Sequence, residues 1–185
     1  MGNEQLFRKS VSQEALDWII NDANEKDYPV IFCGTKDIGV YNSKPIVTDL
    51  FENALGLKNT NFPKPPLDII KEQPILQFSP FVDSSREDEV MSHLKGCVYG
   101  RWHPAFIDVT VKGADKGTGM NEVVAKLGLN KVLTYAFGDG GNDMTIIQQA
   151  HTGIAMGNAC EQLKKVANYV TEDVDKDGIY LALKH

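Results

Sequence analysis

Residues 135–147, YAFGDGGNDMTII, constrain the fold more than any other part of this sequence. An apolar run that predicts a strand ends in a turn with three glycines and two aspartates, and apolar positions then resume. Such a turn lets the backbone bend tightly and exposes its amides. Downstream of residue 105, predicted helices and strands alternate, which indicates a parallel sheet with helical crossovers.

The glycine-rich turn follows a predicted strand over 132–138 and begins a predicted helix over 142–150. In parallel sheets, ligands bind beyond the carboxyl ends of the strands, where Asp139 lies. Asp143 follows four residues later, so both carboxylates could face one hard cation such as Mg²⁺, with an anion beside the helix amides. The alternative is a capped turn in which the aspartates accept backbone hydrogen bonds. The residues alone leave both interpretations open.

The N-terminal part has a different organisation. Short apolar runs predict strands and amphipathic segments predict helices, which together indicate a small α+β unit around a mostly antiparallel sheet. We therefore predict two domains, residues 1–105 and 106–185. The predicted strands are 29–34, 37–41, 75–80, 96–102 and 105–111; the predicted helices begin with a possible capping box at Ser10–Gln13 and include 46–57 and 85–94, with a proline-rich connection at 61–68.

Composition excludes several classes of function. A net charge of −6 and a pI near 5.2 argue against a nucleic-acid groove or an anionic membrane surface as partner. No signal sequence or membrane-spanning apolar run is evident, so we expect a cytoplasmic protein. Three widely spaced cysteines, an odd number, favour buried thiols in a reducing compartment over a disulfide or zinc framework.

Three motifs together carry a resemblance to a known family: KG before a helix in DVTVKGADKGTG, then GDGGND, then AMGNA. This combination is similar to the C-terminal portion of a Cof-type (subfamily IIB) phosphatase of the haloacid dehalogenase (HAD) superfamily. The likeness extends more loosely to the N-terminal unit, which resembles that subfamily's cap domain. It implies an α/β fold: a partial HAD-like Rossmannoid parallel sheet, which is the C-terminal half of the catalytic core, plus an α+β cap.

The resemblance also implies a function and the residues that carry it. Such enzymes use Mg²⁺ to hydrolyse small phosphorylated metabolites, such as sugar phosphates, through a phospho-aspartate intermediate. By that likeness Lys116 binds the nucleophile and the phosphate, Asp139 is a metal ligand and Asp143 is a second carboxylate of the metal site. Asn142 would orient the phosphate or the loop.

The sequence departs from the family pattern at its beginning. Family members open with an Asp-x-Asp-Gly-Thr strand end and a Ser/Thr motif, and neither precedes the cap-like region here, so no nucleophile is assigned. We expect a truncated enzyme that is inactive alone and binds Mg²⁺ weakly. The alternatives are a non-catalytic module that binds metal and phosphate, and a subunit whose core is completed by another chain. An unpaired strand at 132–138 would favour self-association.

Two further segments could be mistaken for functional sites. DVDKDGIY, residues 173–180, resembles the missing nucleophile motif by letters alone, but no continuous apolar strand precedes it, and we interpret it as a solvated acidic turn. In the predicted strand around GRWHPAF, alternation favours a buried Trp102 with Arg101 and His103 facing solvent, over a substrate pocket.

Overall fold

The computed structural model describes residues 5–54, 70 and 72–184 of the 185-residue chain. Its contacts divide the chain into two compact units. The N-terminal unit comprises residues 9–112, and the C-terminal unit comprises residues 113–184, with which residues 5–8 associate. No helix in the described ranges has the length and hydropathy needed to cross a bilayer.

The N-terminal unit is built on one antiparallel sheet. Its strands are β1 (Val30–Gly34), β2 (Ile38–Tyr41), β3 (Ile75–Pro80), β4 (Cys97–His103) and β5 (Phe106–Val111). They lie in the order β2–β1–β3–β5–β4, and every neighbouring pair is antiparallel. The helices whose bounds lie in its described residues are α1 (Gln13–Glu25), α2 (Pro45–Thr48) and α3 (Glu87–His93). The predicted α+β unit is therefore confirmed.

Apolar side chains pack on both faces of this sheet. A large cluster joins α1 and α3 to one face and includes Ile19, Phe32 and Phe78, none of which is exposed. A smaller cluster on the opposite face includes Val47 of α2 and Phe106 of β5. Strand alternation produces this arrangement, because successive side chains point to opposite faces.

The boundary between the units differs from the predicted one. A boundary after residue 105 would assign β5 to the second domain, yet β5 is hydrogen-bonded to β3 on one side and to β4 on the other. Backbone pairing on both edges fixes β5 inside the N-terminal sheet, and the unit extends to residue 112.

Local corrections concern the first two helices. The capping residue of α1 is Ser12, whose hydroxyl accepts from the backbone N–H of Ala15, so the predicted box at Ser10 is wrong. The helix predicted over 46–57 begins at Pro45, whose fixed φ suits a first helical position. It continues after Thr48 as a π-helical turn, Asp49–Ala54. The proline-rich connection lies outside the described residues.

The C-terminal unit contains the predicted parallel sheet. Its strands are β6 (Tyr135–Gly138), β7 (Thr152–Ala155) and β8 (Tyr169–Val170), which pair in that order and in parallel. Its helices are α4 (Lys116–Lys126), α5 (Met144–Gln149), α6 (Glu161–Val166) and α7 (Gly178–Ala182). The alternation of helix and strand predicted from the sequence is confirmed.

Strand β6 is shorter than predicted and is not buried on both faces. Lys131–Leu133 form a 3₁₀ turn, because the Asn130 side chain accepts from the N–H of Val132 and caps it. The hydroxyl of Thr134 then donates to the Lys131 carbonyl, which closes the turn. The strand proposed over 132–138 therefore starts at Tyr135.

Helices cover one face of this sheet better than the other. Residues aligned in neighbouring parallel strands point to the same face. Ala136 and Ala155 share the face that packs against α5 and α6 and are almost fully buried. On the opposite face, Ile154 is buried, but Tyr135 is 59% exposed and Tyr169 is 48% exposed. Large apolar surface therefore remains in contact with solvent.

Candidate functional site

The carboxyl end of β6 leads directly into the glycine-rich turn. After Gly138 the chain forms a 3₁₀ turn, Gly141–Asp143, and continues as α5. A Cβ at Gly138 would lie 2.5 Å from the Cβ of Asp143, far inside van der Waals contact. Glycine is needed here because the Asp143 side chain packs directly against the end of the strand.

Asp143 is the buried anchor of the turn, with only 5% of the residue exposed. One carboxylate oxygen, Oδ1, accepts from the ammonium group of Lys116. The other, Oδ2, accepts from the backbone N–H groups of Asp139 at 2.9 Å and Gly140 at 3.1 Å. Both oxygens therefore already accept hydrogen bonds, one from α4 and the other from the turn itself.

The electrostatics follow from these contacts. Burial by itself would raise the pKa of Asp143, since desolvation disfavours the charged form. The hydrogen bonds from Lys116 and from the backbone N–H groups of Asp139 and Gly140 outweigh that effect, and the pKa lies below its ordinary value of 3.8. Asp143 is thus a stable carboxylate whose negative charge holds the lysine in place.

Lys116 reaches Asp143 because α4 begins beside α5. Asp115 caps α4 by accepting from the N–H of Thr118 at 2.9 Å. The N–H of Gly117 donates to Thr145 Oγ1 at 3.2 Å, and a Cβ at Gly117 would lie 2.6 Å from the Thr145 carbonyl oxygen. This close approach places the Lys116 ammonium group at the turn while leaving 51% of its side chain exposed.

Asp139 differs from Asp143 in every respect that matters for a ligand. It is exposed, at the end of β6, and its carbonyl oxygen accepts from the N–H of Cys160 at 2.9 Å. Its Oδ2 lies 3.5 Å from Nδ2 of Asn158, a long contact. The Asp139 carboxylate therefore remains accessible from solvent, whereas the Asp143 carboxylate is enclosed.

Asn158 is a neighbour of the site to which the sequence analysis gave no role. It belongs to the AMGNA motif after β7, and its Oδ1 accepts from the N–H of Val174 at 3.0 Å. The presence of that motif beside GDGGND was the available signal. Asn142, in contrast, is exposed on the 3₁₀ turn itself, close to Gly140.

The turn fits a weakly held cation better than a fully protein-ligated one. Among the described residues, no three His, Cys, Asp or Glu side chains are grouped as metal ligands. Mg²⁺ is commonly held by one or two carboxylates, with water or phosphate completing its six ligands. Asp139 offers one accessible carboxylate, and Asp143 is already committed to its own donors. The hydrogen bonds of Asp143 are those of a capped turn, and its place as a second carboxylate of the metal site stays a prediction.

The other two segments considered in the sequence make structural contacts. Val174–Lys176 form a 3₁₀ turn, and Lys176 Nζ lies 3.1 Å from a carboxylate oxygen of Asp173, as expected for a solvated acidic turn. In the N-terminal unit, Arg101 is not solvent-facing as predicted: it pairs with Glu87 and donates to the Val82 carbonyl at 2.8 Å. Its role there is to tie β4 to neighbouring segments.

Comparison with known proteins places these observations in a family. Residues 1–183 match the family model described as haloacid dehalogenase-like hydrolase. The protein YkrA of Bacillus subtilis is 30% identical over 183 residues, a region that spans 98% of this chain and 69% of YkrA.

Solved structures agree with that assignment. The structure of a HAD subclass IIB sugar phosphatase superposes with a TM-score of 0.82 at 34% identity, covering 100% of this chain and 70% of that one. A hypothetical protein from Geobacillus kaustophilus superposes with a TM-score of 0.87 at 29% identity, covering 100% of this chain and 71% of that one.

Proposed function

The chain belongs to the haloacid dehalogenase-like hydrolases, and from this premise we propose that its C-terminal unit binds Mg²⁺ and the phosphate group of a small phosphorylated metabolite. The observation that carries the proposal is the Lys116–Asp143 ion pair, set at the end of a parallel strand beside the exposed Asp139. The sugar phosphatase among the similar structures supports a phosphorylated sugar or a related small molecule as substrate.

Each side chain has a distinct task in this proposal. The Lys116 ammonium group has three N–H donors, of which Asp143 engages one, so others are available to phosphate oxygens. Asp143 keeps the ammonium group in position, and the attraction between the two charges offsets the cost of burying the Asp143 carboxylate. Asp139 is the cation ligand. When Mg²⁺ is bound it supplies positive charge that stabilises the phosphoryl oxygens.

We expect the 185-residue chain by itself to hydrolyse phosphate monoesters at a negligible rate. Asp143 is poorly placed to attack phosphorus, because it is buried and its carboxylate is held by Lys116 and two backbone N–H groups. Asp139 is assigned to the cation. A covalent mechanism needs an attacking group in line with the phosphate, and its loss removes a large part of the roughly 8–23 kcal/mol by which enzymes lower such barriers.

A second candidate is a non-catalytic module that binds metal and phosphate. The observation that favours it is the small number of ligands. The site has one lysine and one accessible carboxylate, and no three His, Cys, Asp or Glu side chains are grouped as metal ligands among the described residues. The nucleotide sequence upstream of Met1 separates the two candidates. An in-frame Asp-x-Asp-Gly-Thr would favour the hydrolase, and its absence would favour the binding module.

Titration of the ¹⁵N-labelled chain with Mg²⁺ and then inorganic phosphate tests the binding proposal. Amide shifts should be confined to the turn around Asp139, with an affinity on the order of millimolar or weaker, because water must supply most of the ligands. Asp139→Asn should abolish the Mg²⁺ response, whereas Asp175→Asn, in the acidic turn, should leave it unchanged. Micromolar affinity, or binding that survives Asp139→Asn, would contradict the proposal.

A phosphatase assay with p-nitrophenyl phosphate tests the expected lack of turnover. The purified chain and its Asp139→Asn variant should give the same background rate with and without Mg²⁺. Steady Mg²⁺-dependent turnover that Asp139→Asn abolishes would show that the chain supplies its own nucleophile.

A further inference from the structure

The position of the Lys116 ammonium group depends on how the backbone beneath it is held. Lysine carries its charge at the end of a flexible four-carbon stem, so the charge is fixed in place only if both its backbone and its partner are fixed. The partner is Asp143, which lies 27 positions away in the chain. The backbone is held through the two residues beside Lys116 in sequence, Asp115 and Gly117.

A single hydroxyl group, that of Thr145, interacts with both of these flanking residues. Thr145 Oγ1 accepts from the N–H of Gly117 at 3.2 Å. The pKa of Asp115 lies below its ordinary value of 3.8, because its carboxylate accepts from the N–H of Thr118 and, with a smaller effect, from the Thr145 hydroxyl. A hydroxyl can donate one hydrogen bond while it accepts another. Thr145 therefore bridges the residues on either side of Lys116.

The same residue is tied to the other partner of the ion pair through the chain. The 3₁₀ turn that ends at Asp143 continues directly as α5, and Thr145 is the second residue of that helix. The backbones of α4 and α5 also meet here, since a Cβ at Gly117 would lie 2.6 Å from the Thr145 carbonyl oxygen. Thr145 thus joins the segment that carries the lysine to the segment that carries its carboxylate.

A second hydrogen bond joins the same two helices one turn further on. Asn121 Nδ2 donates to Gln149 Oε1. Side chains four positions apart lie on the same face of a helix, so this bond continues the line of contact from Gly117 and Thr145. It holds α4 against α5 without bridging the residues beside Lys116. The two bonds therefore allow a general packing role to be separated from a role in placing the lysine.

We propose that Thr145 is a positioning residue that holds Lys116 at the Asp143 carboxylate by bridging Gly117 and Asp115. Thr145 itself does not contact the phosphate group. The inference rests on the proposed function, because the ammonium group that Thr145 positions is the one assigned to phosphate oxygens.

A double-mutant cycle on the full chain measures the ion pair in the absence of any ligand. Urea denaturation of the chain with Lys116→Met, Asp143→Asn or both gives the coupling of the two residues as a ratio of unfolding constants. When the cycle is repeated with Thr145→Val, which removes only the hydroxyl function, that ratio should fall by about threefold or more. Thr145→Ser, which retains a hydroxyl, should preserve the coupling. Asn121→Leu is the matched control and should leave the coupling unchanged.

Titration of inorganic phosphate at a fixed Mg²⁺ concentration, followed by amide shifts, extends the test to the ligand. The dissociation constant should rise about fivefold in Thr145→Val, as expected when a hydrogen bond that places a binding group is lost. It should stay within about twofold of the unmodified value in Thr145→Ser and Asn121→Leu.

The two measurements distinguish failure of this inference from failure of the proposed function. If the unmodified chain does not respond to phosphate, the proposed function fails, and the cycle alone decides whether Thr145 holds Lys116. The positioning role is overturned if Lys116 and Asp143 are not coupled, or if Thr145→Val leaves their coupling unchanged. An equal loss of coupling with Asn121→Leu would overturn it as well, and so would unchanged phosphate affinity of Thr145→Val in a chain that binds phosphate.

Discussion

The N-terminal and C-terminal units bury their apolar residues to different degrees. The N-terminal unit has clusters of sixteen and six buried hydrophobic residues on the two faces of its sheet, whereas the C-terminal unit has one cluster of six. Of the seventeen large hydrophobic residues found exposed in the described chain, thirteen belong to the C-terminal unit. Within the described residues, the C-terminal unit thus carries most of the exposed large hydrophobic side chains.

The contrast shows that the candidate site depends on local elements more than on a complete core. Asp143, Asp139 and Lys116 come together through one strand end, one turn and the first turn of α4. The helices on the covered face of the sheet hold these elements. The opposite face, with Tyr135 and Tyr169, is not needed to form the ion pair.

The largest expected effect comes from comparing truncations in the two units. Phe78→Ala removes a fully buried ring that packs 6.0 Å from the ring of Phe32, so the free energy of unfolding of the N-terminal unit should fall by about 3–5 kcal/mol. Tyr135→Ala should change the stability of the monomeric C-terminal unit by less than about 0.5 kcal/mol, because its side chain is mostly exposed. Urea denaturation of dilute protein measures both.

An intermediate effect is expected at the strand end. Gly138→Ala would force a Cβ against Asp143 and should destabilise the C-terminal unit by about 1–3 kcal/mol. Gly141→Ala is the matched control, since a Cβ there meets nothing within 4 Å. Thermal unfolding is followed through a signal that comes from residues of the C-terminal unit. Its midpoint should fall for Gly138→Ala and stay unchanged for Gly141→Ala. Equal midpoints would mean that Asp143 does not pack against the strand.

Acidification should lower the free energy of unfolding of both units, by less than the substitutions above. Among the described residues, Asp22 in the N-terminal unit and Asp143 in the C-terminal unit are buried aspartates whose pKa values are lowered. Burial raises both pKa values, but hydrogen bonds from Lys26, Tyr28 and Arg86 to Asp22, and from Lys116 and backbone N–H groups to Asp143, outweigh it. At acidic pH the unfolded chain then binds more protons than the folded one. The contribution of these two carboxylates to the free energy of unfolding is therefore fully present above about pH 4–5, and it is lost as the pH falls through their pKa values in the folded chain.

The variant Asp143→Asn isolates the C-terminal part of that pH dependence. Near neutral pH it should be less stable than the unmodified chain, and the difference should shrink as pH falls below the ordinary aspartate range near 3.9. Parallel urea titrations at several pH values measure this convergence. If the difference in the free energy of unfolding stays constant to low pH, the negative charge of Asp143 does not stabilise the folded chain.

Much of the site could be predicted from sequence because its parts are local. A strand, a glycine-rich turn and a helix are adjacent in the chain, so Asp139 and Asp143 had to lie near one another at a strand end. The distinct tasks of the two aspartates were not predictable, because they depend on whether each carboxylate meets Lys116, which is 27 positions from Asp143. The contact between Asn158 and Asp139 is likewise long-range.

The errors in the fold also have physical causes. Apolar letters at Val132 and Leu133 predicted an earlier start for β6, but the side-chain cap from Asn130 stabilises a turn there. The boundary predicted after residue 105 separates β5 from the N-terminal unit, although the strand predicted over 105–111 was grouped with that unit, and the pairing of β5 with β3 and β4 keeps it there. In both cases a hydrogen bond outside the periodic pattern decided the outcome.

Native-state hydrogen exchange on dilute, monomeric protein tests the central contrast between the units most directly. Amides of β1 and β3, such as those of Phe32 and Phe78, should exchange only through the largest opening of the N-terminal unit. Amides of Ala136 and Phe137 in β6 should exchange orders of magnitude faster, because that strand is a sheet edge with one well-covered face. Equal, concentration-independent protection of β6 and β3 in a monomer would contradict the account.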